Sequence, residues 1–133
     1  MKKGISFGLF FVLFFACSHL TGQTNLIPKD GNIYLNPELG NDLNSGTKEN
    51  PLQSLLEAAN RINQVNGKGA ITVYLSEGLY SLDATVTFHP VKWWFSATER
   101  LTIRSEILPD DAEWNPARMP VIISTMPLNF KPY

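Results

Sequence analysis

The sequence predicts a mainly β domain entered through one amphipathic helix, and three observations carry that prediction. A capped apolar stripe at helical spacing occupies residues 50–62. Two-residue alternation follows at residues 71–75 and again at 80–88. Short apolar runs then recur at 101–104 and 121–124. The 133 residues, 44 % hydrophobic and 17 % charged, fit one folded domain and exclude a disordered chain. A net charge of -1 without any basic run gives no reason to expect nucleic acid. One cysteine excludes an internal disulfide framework.

Before the domain comes an address. Lys2 and Lys3 form a positive start, and residues 5–16 (ISFGLFFVLFFA) are almost wholly apolar. That run is too short to span a bilayer, which needs about 20 apolar residues. Its length suits a secretory signal peptide over residues 1–22, leaving a domain over 23–133. Ala16-Cys17 also resembles the end of a lipobox, so a lipid anchor at Cys17 stays open as the alternative to cleavage near Gly22. Removing the leader takes away two lysines and no acid, which moves the net charge to -3 and leaves no cysteine. The expected location is outside the cytoplasm: periplasmic, secreted or anchored at the outer membrane. Membrane attachment is expected only with lipidation.

Asn32-Ile33-Tyr34-Leu35 reads as a strand between Asp30-Gly31 and Asn36-Pro37. The polar stretch 38–50, with Gly40, Asp42, Asn44 and Gly46, reads as an ordered loop. A helix is then expected with Asn50 as cap, Pro51 in the first turn and Gln53 completing a capping box. Leu52, Leu55, Leu56, Ala59 and Ile62 form its apolar stripe, Glu57 and Arg61 pair four apart, and Gly67-Lys68-Gly69 stops it. Residues 71–75, 80–88, 101–104 and 121–124 are the expected strands, and no exact internal repeat is visible. The strand at 121–124 is expected at an open sheet edge. The chain is therefore expected to be the front of a longer protein or to cover that edge by association.

Several segments resemble one known group of proteins. They are Ile33-Tyr34-Leu35-Asn36, residues 40–47 (GNDLNSGT), Pro51-Leu52-Gln53-Ser54-Leu55 with Ala58-Ala59, residues 73–80 (VYLSEGLY), Leu101-Thr102-Ile103-Arg104 and Pro120-Val121-Ile122-Ile123-Ser124, so the likeness spans roughly residues 32–124. Together they resemble the opening of secreted right-handed parallel β-helix proteins, the pectate-lyase-like superfamily. The resemblance implies a capping helix followed by the first coils of a right-handed parallel β-helix, an incomplete solenoid. It also implies a whole protein that acts on extracellular polysaccharide as a lyase or glycoside hydrolase, with calcium a cofactor of the complete protein. Catalytic residues in that group lie on later coils, so none is carried over and this chain alone is not expected to be active. A non-catalytic glycan-binding or surface module and a truncated remnant stay open as alternatives.

Candidate chemistry is sparse. Asp42 and Asn44 are oxygen ligands two apart in a glycine-containing loop, a calcium candidate without EF-hand spacing. Turn closure by the same side chains is the simpler reading. Asp110, Asp111 and Glu113 form an acidic group beside Pro109 that also reads as a solvated turn. Trp93 and Trp94 are the candidate polysaccharide contacts, since exposed rings stack on sugar faces. Being adjacent, they point to opposite sides of an extended chain, and core packing is the competing role for them and for Trp114. His89 stands alone after the leader and cannot build a metal site by itself.

Overall fold

The computed structural model describes residues 26–126. The leader read at 1–22, with Cys17 and His19, lies outside the described residues. Within them the order is β1 (Asn32–Leu35), α1 (Leu55–Gln64), β2 (Gly67–Lys68), β3 (Ile71–Leu75), β4 (Gly78–Leu82), β5 (Trp93–Trp94), β6 (Leu101–Ser105) and β7 (Pro120–Ser124). A single 3-10 turn covers Pro116–Arg118.

All strand pairs are parallel, and they make three small sheets: β1-β3-β6, β2-β5 and β4-β7. The expected start of a right-handed β-helix is corrected here. Among the described residues there is one helix with short strands in separate sheets of three, two and two strands, and no closed or solenoid sheet. The physical reason is discontinuous pairing. β2 and β5 are two residues each, and residues 83–92 and 106–119 between paired strands contribute no ladder.

The expected strand over 80–88 is shortened for the same reason. Its ladder ends at Leu82, yet Val86 and Phe88 still pack against the core cluster, which accounts for the alternation. Asn63 holds that stretch in place of a strand, donating to the Thr87 carbonyl at 2.7 Å and accepting from the His89 amide at 2.5 Å.

The helix starts four residues later than its sequence signals suggest. Leu52 forms a parallel bridge with Leu35, donating to the Tyr34 carbonyl at 2.9 Å and accepting from the Asn36 amide at 2.8 Å. Those bonds engage the backbone that a helix from Pro51 would need. Ser54 is therefore the cap, and its hydroxyl accepts from the Glu57 amide at 3.1 Å. At the other end, Gly67 and Lys68 form β2 where a simple stop was expected.

Arg61 ties the long loop onto α1. Its Nε meets Glu57 at 2.6 Å, the expected pair four apart, and its two terminal nitrogens donate to the carbonyls of Asn44 and Asp42 at 2.7 and 2.6 Å. The core lies beneath: Ile33 and Leu35 from β1, Leu52, Leu55, Ala58 and Ile62 from the helical side, Ile71, Val73 and Leu75 from β3, and Tyr80 from β4. Each large aliphatic side chain buried there contributes about 2 kcal/mol of transfer free energy.

Tyr80 is the one core residue with a polar tip. Its hydroxyl reaches the carbonyls of Leu35 at 3.0 Å and Ser76 at 3.2 Å, joining the ends of β1 and β3 to β4. Burial pushes its phenol above the ordinary tyrosine value. The folded state therefore holds this proton more tightly than the unfolded chain. The contribution is fully present below about pH 10 and is lost as pH rises through the folded value. Tyr80→Phe is expected to cost about 1 kcal/mol in urea unfolding at pH 7. The gap between wild type and variant should narrow above about pH 10; equal stability at pH 7 would contradict the role given to this hydroxyl.

Candidate functional site

The tryptophan pair sits at the start of the β6 layer. β5 lies in register on β2, with Gly67 opposite Trp93 and Lys68 opposite Trp94. Alternation along an extended backbone turns the two rings to opposite sides. Trp93 goes inward: it packs against the core cluster, and its indole N–H donates to the Gly69 carbonyl at 2.8 Å. Gly67 makes room for it, because a Cβ there would land on the Trp93 ring. Trp94 goes outward and is 78 % exposed. An exposed indole on a strand whose neighbouring ring is anchored presents apolar surface to solvent.

A second feature covers the outer face of the β1-β3-β6 sheet. Register places Asn32, Thr72 and Thr102 in one row and Tyr34, Tyr74 and Arg104 in the next. Asn36, Ser76 and Glu106 follow as the residues just after the paired positions. Tyr34 and Tyr74 stack with centroids 4.8 Å apart at 13°. The Arg104 guanidinium lies 5.5 Å from the centre of Tyr74, and the Lys48 ammonium lies 5.9 Å from that of Tyr34. The ring faces are thus spent on each other and on cations, and the row shows edges, hydroxyls and nitrogens to solvent. Partial burial pushes the Tyr34 phenol up, and Tyr74 adds to the effect. Lys48 closes the row through a 2.7 Å ion pair with Glu106.

This face runs into a polar cleft of about 200 Å³ lined by Asn36, Ser76, Glu77, Ser105, Glu106 and Arg118. Arg118 pairs with Glu77 at 2.5 Å, and that hydrogen bond holds the Glu77 carboxyl below its usual range. A glutamate kept ionised by its partner is a poor general acid at neutral pH. The cleft presents the polar groups of Asn36, Ser76 and Ser105 beside this ion pair. A larger groove of about 450 Å³ runs between the start of α1 and β4, with Leu55, Leu56, Leu79 and Leu82 on its walls.

The remaining sequence candidates fall elsewhere. Asp42 joins loop to helix: Oδ1 accepts from the amides of Gln53 and Ser54, both at 2.9 Å, and Oδ2 from the Ser54 hydroxyl at 2.7 Å. Asn44 donates to the Pro51 carbonyl at 3.0 Å. Their polar atoms are engaged in holding the cap, and no group of three His, Cys, Asp or Glu side chains fit to hold a metal occurs among the described residues. Asp111 closes its own turn by accepting from the Leu108 amide at 2.6 Å, with Asp110 and Glu113 exposed around it. His89 is exposed, and Trp114 is exposed at the end of that same turn. Sequence reasoning missed the Tyr34-Tyr74-Arg104 row altogether. Each member sits at an outward position of its strand, the one available signal, but only the register brings the three together.

No protein family, curated protein or solved structure matches the chain.

The hydrogen bonds of Asp42 predict a structural role. Asp42→Ala should lower stability by about 2 kcal/mol through loss of the loop-to-cap bonds. Calcium should leave the wild-type unfolding midpoint unchanged in calorimetry. A rise of several degrees with calcium would contradict this assignment and restore Asp42 and Asn44 as ligands.

Proposed function

We propose that this chain is a polysaccharide-contacting part of an exported protein and binds its glycan without cleaving it. The observation that carries the reading is the outward Trp94, an exposed indole next to the half-buried, hydrogen-bonded Trp93. Sugar rings have apolar faces that stack on such a surface. The hydrogen-bonding outer face of the three-stranded sheet supplies the second kind of contact a hydroxyl-rich polymer needs. Also in support are the apolar leader and the likeness of residues 32–124 to the opening of secreted polysaccharide-acting proteins. Calcium, if the whole protein uses it, acts outside these contacts.

Binding rather than cleavage is favoured by the cleft. Its Glu77 is held ionised by Arg118, and its Glu106 is paired with Lys48. Neither is placed as the proton donor that glycoside hydrolysis needs. In this reading Trp94 touches the sugar and Trp93 positions it.

The test is electrophoresis through gels cast with soluble polysaccharides, neutral and acidic in parallel. At least one should retard the wild type. Trp94→Ala should weaken that binding about tenfold or more, a loss near 1.4 kcal/mol, with an unchanged unfolding midpoint. A wild type retarded by none of the polymers, or a Trp94→Ala variant that binds equally well, would overturn the proposal.

A further inference from the structure

The face that carries Trp94 also carries two lysines. β2 and β5 pair with Gly67 opposite Trp93 and Lys68 opposite Trp94. Side chains at paired positions project on the same side of a sheet, from strands about 4.8 Å apart. Gly67 and Trp93 take the inner side, where a Cβ on Gly67 would strike the Trp93 ring, so Lys68 and Trp94 take the outer one. Lys92 joins them. Its carbonyl accepts from the Gly67 amide at 3.2 Å, which carries the pairing one residue back, and two-residue alternation sets Lys92 on the Trp94 side. Lys68, Lys92 and Trp94 are all exposed.

Neither charge is neutralised locally. The ion pairs among the described residues belong to Lys48, Arg61 and Arg118, and neither Lys68 nor Lys92 has an acidic partner there. Glu99 approaches β2 at Gly69, where its Oε1 would lie 3.9 Å from a Cβ, and its Oε2 accepts from the Ser96 hydroxyl at 3.2 Å. Gly69 alternates to the side of Gly67, away from Lys68. Two lysines beside an indole thus make a local positive patch on a chain whose net charge is -1.

Lysine and arginine select anions differently. The arginine fork matches the flat edge of a carboxylate with two parallel bonds, whereas lysine is a compact point charge with three rotatable donors. Two ammonium groups from adjacent strands suit an anion that spreads its charge over three oxygens of a tetrahedron. A sulfate ester has that form, and the sugar ring that bears it has the apolar face an indole takes.

We infer that Trp94, Lys68 and Lys92 form a subsite for a sulfated sugar unit, with the ring stacked on the indole and the sulfate ester held by the two ammonium groups. The inference rests on the reading of Trp94 as a sugar contact and names the class of glycan it takes.

The test compares three forms of one backbone, dextran, carboxymethyl dextran and dextran sulfate, in affinity gels run with the full chain at low ionic strength. Dextran sulfate should retard the wild type most. Lys68→Gln and Lys92→Gln should each weaken that binding about threefold, and the double variant about tenfold, the scale of exposed charge pairs. Lys29→Gln, which removes an exposed lysine elsewhere, should leave it unchanged. Trp94→Ala should weaken it about tenfold. Equal retardation by all three forms, stronger retardation by carboxymethyl dextran, or none by dextran sulfate would overturn the sulfate assignment. So would an equal loss in Lys29→Gln, which would make the attraction a diffuse effect of charge. The two readings fail apart. Binding that needs Trp94 but ignores Lys68 and Lys92 keeps the sugar contact and discards the sulfate, whereas binding that needs the lysines but survives Trp94→Ala discards both.

Discussion

β3 is the strand hydrogen-bonded along both edges among the described residues, to β1 on one side and β6 on the other, and the rest of the fold is built outward from it. Its inward residues Ile71 and Val73 are fully buried, so the register on either side is held by packing as well as by the ladder. A slip of one residue would turn Ile71 and Val73 to solvent and Thr72 and Tyr74 into the core. The turn after β3 leads directly into β4, where the Tyr80 hydroxyl reaches back to the ends of β1 and β3. The outer edge of β1 is closed in turn by Gly46 and Leu52, whose backbone bonds to Tyr34 and Asn36 run at 2.8 to 2.9 Å. Among the described residues, that side of the sheet is thereby covered by the loop.

That asymmetry links architecture to the candidate site. With the loop and helix fixed by Arg61 and Asp42, the outward residues of β1, β3 and β6 form a level face whose rows are set by register alone. The same parallel stacking sets β5 on β2, where Gly67 admits the Trp93 ring and Trp94 is turned to water. Neither feature depends on a mobile loop, which suits recognition of an extended polymer with little conformational cost.

How much of this was legible in the sequence differs by length scale. The apolar stripe of α1, the Glu57–Arg61 pair and the strands expected at 71–75, 101–104 and 121–124, each found within a residue of those bounds, follow from local spacing and turn residues. The cap was misplaced because Leu52 belongs to two patterns at once, the helix stripe and a bridge to Leu35, and the bridge takes its backbone. The layering was hidden because the offsets between paired strands are unequal. Asn32 meets Thr72, Ile71 meets Leu101, Gly67 meets Trp93 and Gly78 meets Pro120, intervals of 40, 30, 26 and 42 residues. Loops of different length between paired strands erase any fixed period, so the tyrosine–arginine row does not stand out by eye. The expected β-helix overreached for a related reason. A family-like opening says little about whether separate short ladders join into one continuous sheet.

The central role of β3 is most directly measured by native-state hydrogen exchange resolved to single amides. Amides of β3 should exchange slowest, by global unfolding, with β1 next and the open-edged β6 and β7 faster by an order of magnitude or more. Protection in β6 and β7 equal to that in β3, or a β3 that exchanges through local opening, would contradict a fold organised around that strand.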